Sequence, residues 1–144
     1  MKKSVGIIPF KFNNNGELVF FVGHPGGNSR NYWAYLKGGI EEGENEIETA
    51  LREFREESGV SLDMYKDNLI YLGQTIQNPK KEVAAYGVNL TDYFDIDPDK
   101  CVSNICEKGW PEIDKYRWMK WEDLEPVTHP KHKLFYETIM HKVQ

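Results

Sequence analysis

Three glutamates, Glu53, Glu56 and Glu57, stand at i, i+3 and i+4 in a stretch without Pro or Gly from Ile47 to Ser58. Residues three and four apart are neighbours on a helix, so this spacing predicts three carboxylates on one shared patch. Like charges so placed destabilise a helix by roughly 0.2–0.5 kcal/mol per pair, a cost that a divalent cation removes. Hard oxygen donors suit Mg²⁺ or Mn²⁺, ions that bridge carboxylates and the phosphates of a substrate. The chemistry on offer is therefore cation-assisted work on a phosphate chain. Arg52 adds a guanidinium fork that pairs bidentately with a carboxylate.

The elements that must position these groups are legible nearby. Ala, Leu, Glu and Arg dominate residues 47–58, which favours a helix. Ile47, Ala50, Leu51 and Phe54 form a stripe at helical spacing, with the carboxylate patch about a third of a turn away. The helix is expected to bury the stripe and expose the carboxylates. Gly59 follows as a C-terminal cap, and Gly38, Gly39 and Gly43 let the preceding loop fold tightly. Strands are expected at Val5–Phe12, Glu17–Gly23, Tyr32–Leu36, Leu69–Gln77, Lys81–Leu90 and Asp114–Met119. A brief helix at Glu122–Leu124 and a C-terminal helix at Lys131–Met140 complete the pattern, with 91–112 polar and irregular. Strands on both sides of one central helix give α+β or mixed α/β.

The run from Gly38 to Val60, GGIEEGENEIETALREFREESGV, resembles the complete signature of the Nudix hydrolase superfamily. Gly38, Glu44, Arg52-Glu53-Phe54, Glu56-Glu57 and Gly59-Val60 fill its fixed positions. Lys37 before the first glycine and the late segment WPEIDKYRWMKWEDLEP extend the likeness. HPGG before the motif and SN…WPEID after it resemble a bacterial group of predicted nucleotide pyrophosphohydrolases. The resemblance implies an α/β (α+β) Nudix fold, a mixed β-sheet sandwiched between helices with a loop–helix–loop motif, in a single domain over residues 1–144. It also implies hydrolysis of a phosphoanhydride bond in a nucleoside diphosphate linked to another moiety. A nucleoside triphosphate or dinucleoside polyphosphate is the expected substrate, and Mg²⁺ the expected cofactor, with Mn²⁺ as a substitute.

Under that resemblance the metal ligands are Glu53, Glu56, Glu57 and the backbone carbonyl of Gly38. Glu53 or Glu57 is also a candidate base. Arg52 orients a carboxylate and Glu44 closes the loop. A further catalytic carboxylate from outside the motif is expected at Glu112, with Asp114 and Glu82 as runners-up. Lys37, Arg30, Lys80 and Lys81 are candidates for phosphate contacts, and Trp33, Tyr35 and Trp110 for stacking on a base. The rival class is a Nudix-fold binding or sensor module without catalysis, which would be expected to show a damaged motif.

Composition narrows the partners. The net charge of −5 is uneven: residues 41–57 carry eight acids against Arg52 and Arg55, a net −6, which leaves +1 for the remainder. No clustered Lys/Arg surface for nucleic acid is evident. The expected partner is a small-molecule nucleotide, and a homodimer is compatible with the chain. The N-terminal apolar run is short and broken by Pro9, and no stretch approaches a membrane span, so a cytoplasmic protein with Cys101 and Cys106 as thiols is expected. Asp95-x-Asp97-x-Asp99 begins like a calcium loop, but Lys100 occupies the position that needs glycine.

Overall fold

Ser4 to Phe10 is buried at every position, as befits a central strand covered on both faces. This is β1 (Lys2–Phe12), in a computed structural model that describes residues 1–92 and 94–143; Tyr93, within the stretch expected to be irregular, and Gln144 lie outside the described residues. β1 divides its partners along its length. Its beginning pairs antiparallel with β3 (Leu36–Gly39), from Ser4 opposite Gly39 to Ile7 opposite Leu36. Its end pairs antiparallel with β2 (Leu18–Pro25), where Phe10 faces Phe20. On the other side β5 (Lys81–Asn89) runs parallel to it, and β4 (Ile70–Asn78) forms a hairpin with β5. β6 (Ile113–Lys120) closes the far edge on β2, giving the order β4-β5-β1-β2-β6 with β3 on β1.

Alternation along the strands sends apolar side chains to both faces. Val5, Ile7, Phe21, Leu36 and Ala84 meet Ala50, Leu51 and Phe54 of helix α1 (Glu46–Ser58). Ile8, Phe10, Phe20, Val22 and Val83 meet Phe135, Tyr136 and Ile139 of the C-terminal helix. That helix is α3 (Lys133–Lys142), preceded by the short α2 (Trp121–Leu124). The mixed sheet is therefore sandwiched between helices, as the signature implied.

Boundaries differ where the backbone finds other partners. The strand expected at Tyr32–Leu36 begins only at Leu36, because the Trp33 N–H donates to the Val127 carbonyl (2.9 Å) and Ala34 makes an isolated bridge to Gly23. The C-terminal helix starts at Lys133 rather than Lys131, after a 3₁₀ turn at Pro130–His132. A 3₁₀ segment at Asp63–Asn68 has no forerunner in the pattern analysis.

Both ends of α1 are fixed. Asn45 Oδ1 accepts from the Glu48 N–H (2.8 Å) and Glu48 Oε1 accepts from the Asn45 N–H (3.0 Å), a reciprocal capping box. At the other end Gly59 turns left-handed (φ 76°) and donates to the Arg55 carbonyl at 2.8 Å. Gly59→Ala should cost about 1–2 kcal/mol, read as a lower denaturant midpoint at unchanged m-value. Among the described residues no helix is long and apolar enough to cross a membrane.

Candidate active site

The loop before α1 is organised by Arg52, one turn into the helix behind it. Arg52 Nε donates to Glu44 Oε2 (2.7 Å) and Nη2 to Glu44 Oε1 (3.0 Å), the bidentate fork. Nη2 also donates to the Gly39 carbonyl (3.0 Å), while Nη1 donates to Glu53 (2.8 Å) and Glu56 (3.0 Å). Glu44 in turn accepts from the Glu41 N–H (3.0 Å) and the Thr49 hydroxyl (2.9 Å). Arg52 lowers the Glu44 carboxyl to about 2, and Glu44 raises the Arg52 guanidinium above its usual range. The fork thus orients carboxylates and closes the loop.

The three motif glutamates are not equivalent. Helical spacing predicted one exposed patch, but only Glu56 is exposed, turned onto Arg52. Glu57 is 8% exposed, packed between α1 and the sheet. Glu53, half-buried, stands one turn before Glu57 on the same helix. Burial, then the charge of Glu53, pushes Glu57 up to about 9; burial also raises Glu53, against the pull of Arg52. Among the described residues no three His, Cys, Asp or Glu side chains are gathered to hold a metal ion. The donor chemistry nevertheless fits a divalent cation. A buried carboxyl beside a half-buried one, both disfavoured as bare anions in each other's company, gains from a hard, doubly charged partner, and Glu56 is a neighbour on the same helix. Gly38 backs the pair: a Cβ there would fall 2.0 Å from the Glu53 carboxyl carbon. Gly38→Ala should therefore displace Glu53 and raise the Mg²⁺ concentration for half-maximal activity about tenfold or more, with a titration of activity against Mg²⁺ as the check.

Opposite the carboxyls lies positive charge. Lys37 is half-buried, drawn down to about 8 by desolvation and then by Lys81, with Glu57 pulling the other way. Lys37, opposite Gly6, and Lys81, opposite Lys2, lie on the two strands that flank β1, and the charge of each is felt at His129. His129 lines a cavity of about 470 Å³ with Arg30, Tyr32, Asn31 and Thr128. Glu112 is exposed, and its charge is felt at Glu57. The runners-up are engaged elsewhere: Asp114 with His24 at 2.7 Å and Glu82 with Lys3 at 3.4 Å.

The aromatic candidates need correction. Trp33 is 3% exposed, its ring edge-on to His24 and covered by the Arg117 guanidinium at 4.7 Å, so it has no face for a base. Tyr35 is buried with its hydroxyl donating to the Ala84 carbonyl (3.1 Å). Trp110 is exposed but lies against Gly27. Tyr32 and His129, which motif reading passed over, are the rings that line the cavity. Their only signal in the sequence was proximity to Arg30 and to the late Pro126 segment.

The chain belongs to the Nudix family: the NUDIX domain model matches residues 2–141. It is similar to the asymmetrical bis(5′-nucleosyl)-tetraphosphatase of Mus musculus, 30% identical over 123 residues, 81% of this chain and 73% of the relative. It is 29% identical to an RNA pyrophosphohydrolase of Sulfurovum over 135 residues, covering 87% of this chain and 82% of the relative. It is also 25% identical over 125 residues to mRNA-decapping enzyme subunit 2 of Saccharomyces cerevisiae, but spans only 12% of that protein. Among solved structures, an Ap4A hydrolase of C. elegans superimposes with a TM-score of 0.74 at 16% identity, covering 99% of this chain and 98% of that one. The NUDIX domain of Shewanella oneidensis NrtR, complexed with ADP ribose, gives 0.72 at 14% identity, covering 99% and 88%. At such identities these two likenesses define the fold.

Proposed function

We propose that this protein, as one domain over residues 1–144, hydrolyses a phosphoanhydride bond in a nucleoside triphosphate or dinucleoside polyphosphate by attack of water at phosphorus. The observation that carries the proposal is the motif with every fixed position filled, its Glu57 buried beside Glu53 and its Arg52 fork closing the loop on Glu44. A buried carboxyl beside a half-buried one, together with the desolvated Lys37, is costly to hold without ligands, and a cation with a polyanion relieves both costs. The names of the relatives from Mus musculus and Sulfurovum point to the same bond type.

Glu53, Glu57 and the Gly38 carbonyl would hold the cation, joined by Glu56 once it leaves Arg52. Bound there, Mg²⁺ or Mn²⁺ supplies charge neutralisation for the phosphate chain and a more acidic water. Lys37, Lys81 and Arg30 meet the phosphate oxygens, and the cavity lined by Tyr32 and His129 takes the nucleoside. Glu112 takes the proton of the attacking water, while the phosphorus–oxygen bond to the leaving phosphate breaks in line. An intact motif separates this reading from a silent binding module.

The test is a phosphate- and pyrophosphate-release screen with Mg²⁺ and with Mn²⁺ over nucleoside triphosphates, dinucleoside polyphosphates, ADP-ribose, NADH and nucleotide sugars. Turnover of the first two classes, absent in Glu57→Gln, is expected. Silence across the panel, with nucleotides still raising the melting temperature, would replace the hydrolase with a binding module.

A further inference from the structure

His24 is a histidine with no role in the chemistry above, yet it is 7% exposed and fully engaged. Its Nδ1 lies 2.7 Å from Asp114 Oδ1 and its Nε2 lies 2.8 Å from the Arg30 carbonyl. Through these two contacts the ring bridges strand β6 and the end of the loop at residues 26–31.

Asp114 reaches His24 through an irregularity in the sheet. His24 pairs with Lys115 and the next residue, Pro25, with Ile113, so Asp114 is an extra residue in β6. Such a bulge re-aims side chains. Here it turns Ile113 onto the α1 face, where Tyr116, three residues on, also packs.

Just ahead of the bulge stands Glu112, with no regular strand around it. Its carbonyl accepts from the Gly26 N–H (2.8 Å), and its N–H donates to the Asn104 carbonyl (3.0 Å). The Asn104 N–H donates to the carbonyl of Glu56 in α1 (2.9 Å), and the Ser103 hydroxyl accepts from the Ile113 N–H (3.1 Å). A continuous backbone path thus runs from Glu56 through Asn104 and Glu112 to Gly26. The loop on its far side fits only because it lacks side chains. A Cβ on Gly26 would fall 1.7 Å from the Pro111 carbonyl oxygen, and one on Gly27 (φ +72°) 2.3 Å from the Trp110 ring. The sequence pieces HPGG, SN and WPEID are therefore parts of one interlocked frame.

We propose that His24 is a positioning residue: by clamping the Arg30 end of the loop at residues 26–31 to Asp114 it fixes the frame that holds Glu112 between Gly26 and Asn104. The inference rests on the assignment of Glu112 as the proton acceptor. Loss of the clamp leaves the motif helix and its carboxylates in place, so cation binding survives while proton transfer suffers; Arg30, on the released loop, also loosens its hold on the phosphates.

The test is a double-mutant cycle on diadenosine tetraphosphate and on ATP with saturating Mg²⁺. His24→Ala should lower kcat by about 10- to 100-fold, with the Mg²⁺ half-saturation within about threefold. Asp114→Asn, which keeps the shape, should act in the same direction more weakly, and serves alone if His24→Ala fails to fold. In the Glu112→Gln background neither change should lower kcat further, because both act through Glu112. A multiplicative loss in that background would overturn the positioning role while leaving Glu112 intact. An unchanged kcat in Glu112→Gln alone would instead remove Glu112 from the mechanism, and the inference with it. Crystal structures of the natural protein and His24→Ala give a reading independent of turnover: residues 109–114 should move relative to α1 in the variant, and an unmoved Glu112 would overturn the inference.

Discussion

Glu57→Gln should lower kcat by about 10³-fold while leaving the metal-free protein at least as stable as the natural one. The two effects share a cause. Glu57 is buried next to a second carboxyl, which makes it a poor free carboxylate and, under the proposed function, a cation ligand. Its folded value stands near 9, against about 4.3 in an unfolded chain. The folded state therefore binds the proton more tightly. The stability that this proton contributes is complete below about pH 4.3 and is lost as pH rises toward 9. Thermal melts in EDTA should show the natural protein losing melting temperature relative to Glu57→Gln across that interval, and Mg²⁺ should restore it in the natural protein alone. Parallel melting curves for the two proteins would mean that Glu57 is solvated after all.

Arg52→Ala should be the most destabilising single change in the motif. It removes the partner of four carboxylates at once, Glu41, Glu44, Glu53 and Glu56, and the donor to the Gly39 carbonyl. Arg52 and Glu44 are each under a fifth exposed, so the pair is only partly screened by solvent. Stranding Glu44 and Glu53 should cost about 2–4 kcal/mol, or roughly 5–15 °C in melting temperature for a chain of this size. The loss has a pH signature. Glu44 is lowered to about 2 by Arg52, so its contribution is complete above about pH 4.3 and is lost as pH falls toward 2. Arg52→Ala should accordingly unfold at higher pH on acidification than the natural protein. Arg52→Lys should rescue little, because one ammonium cannot reproduce the fork on Glu44 and the bond to Gly39 together. Full rescue by lysine would show that charge alone holds the loop.

Much of this was legible in the chain because the motif is local. The period of Ile47, Ala50, Leu51 and Phe54 gave the helix and its buried face, and Gly59 gave its end. The turns at Asn13–Gly16 and Asn78–Lys80 set off the strand segments Val5–Phe12 and Lys81–Leu90, which the sheet contains. Local spacing could not show that Glu57 faces inward while Glu56 faces out. Adjacent helical positions differ by about 100°, and which of them meets the sheet depends on how α1 settles on β1 and β3. Trp33 misled for a related reason: an aromatic near a motif reads the same whether it lines a cleft or a core. Its backbone goes to Val127, more than ninety residues later, and no local pattern records that bond. The frame around Glu112 was present as separate strings in the sequence, and only the register of β2 with β6 joins them.

The most direct measurement is calorimetry of Mg²⁺ binding at pH 7.5 in two buffers of different ionisation heat, which counts the protons released per ion bound. If the Glu53–Glu57 pair is the cation site, the natural protein should release about one proton per ion, and Glu57→Gln should bind weakly and release none. Tight binding to the natural protein without proton release, or equal binding by the variant, would place the cation elsewhere and contradict the site described above.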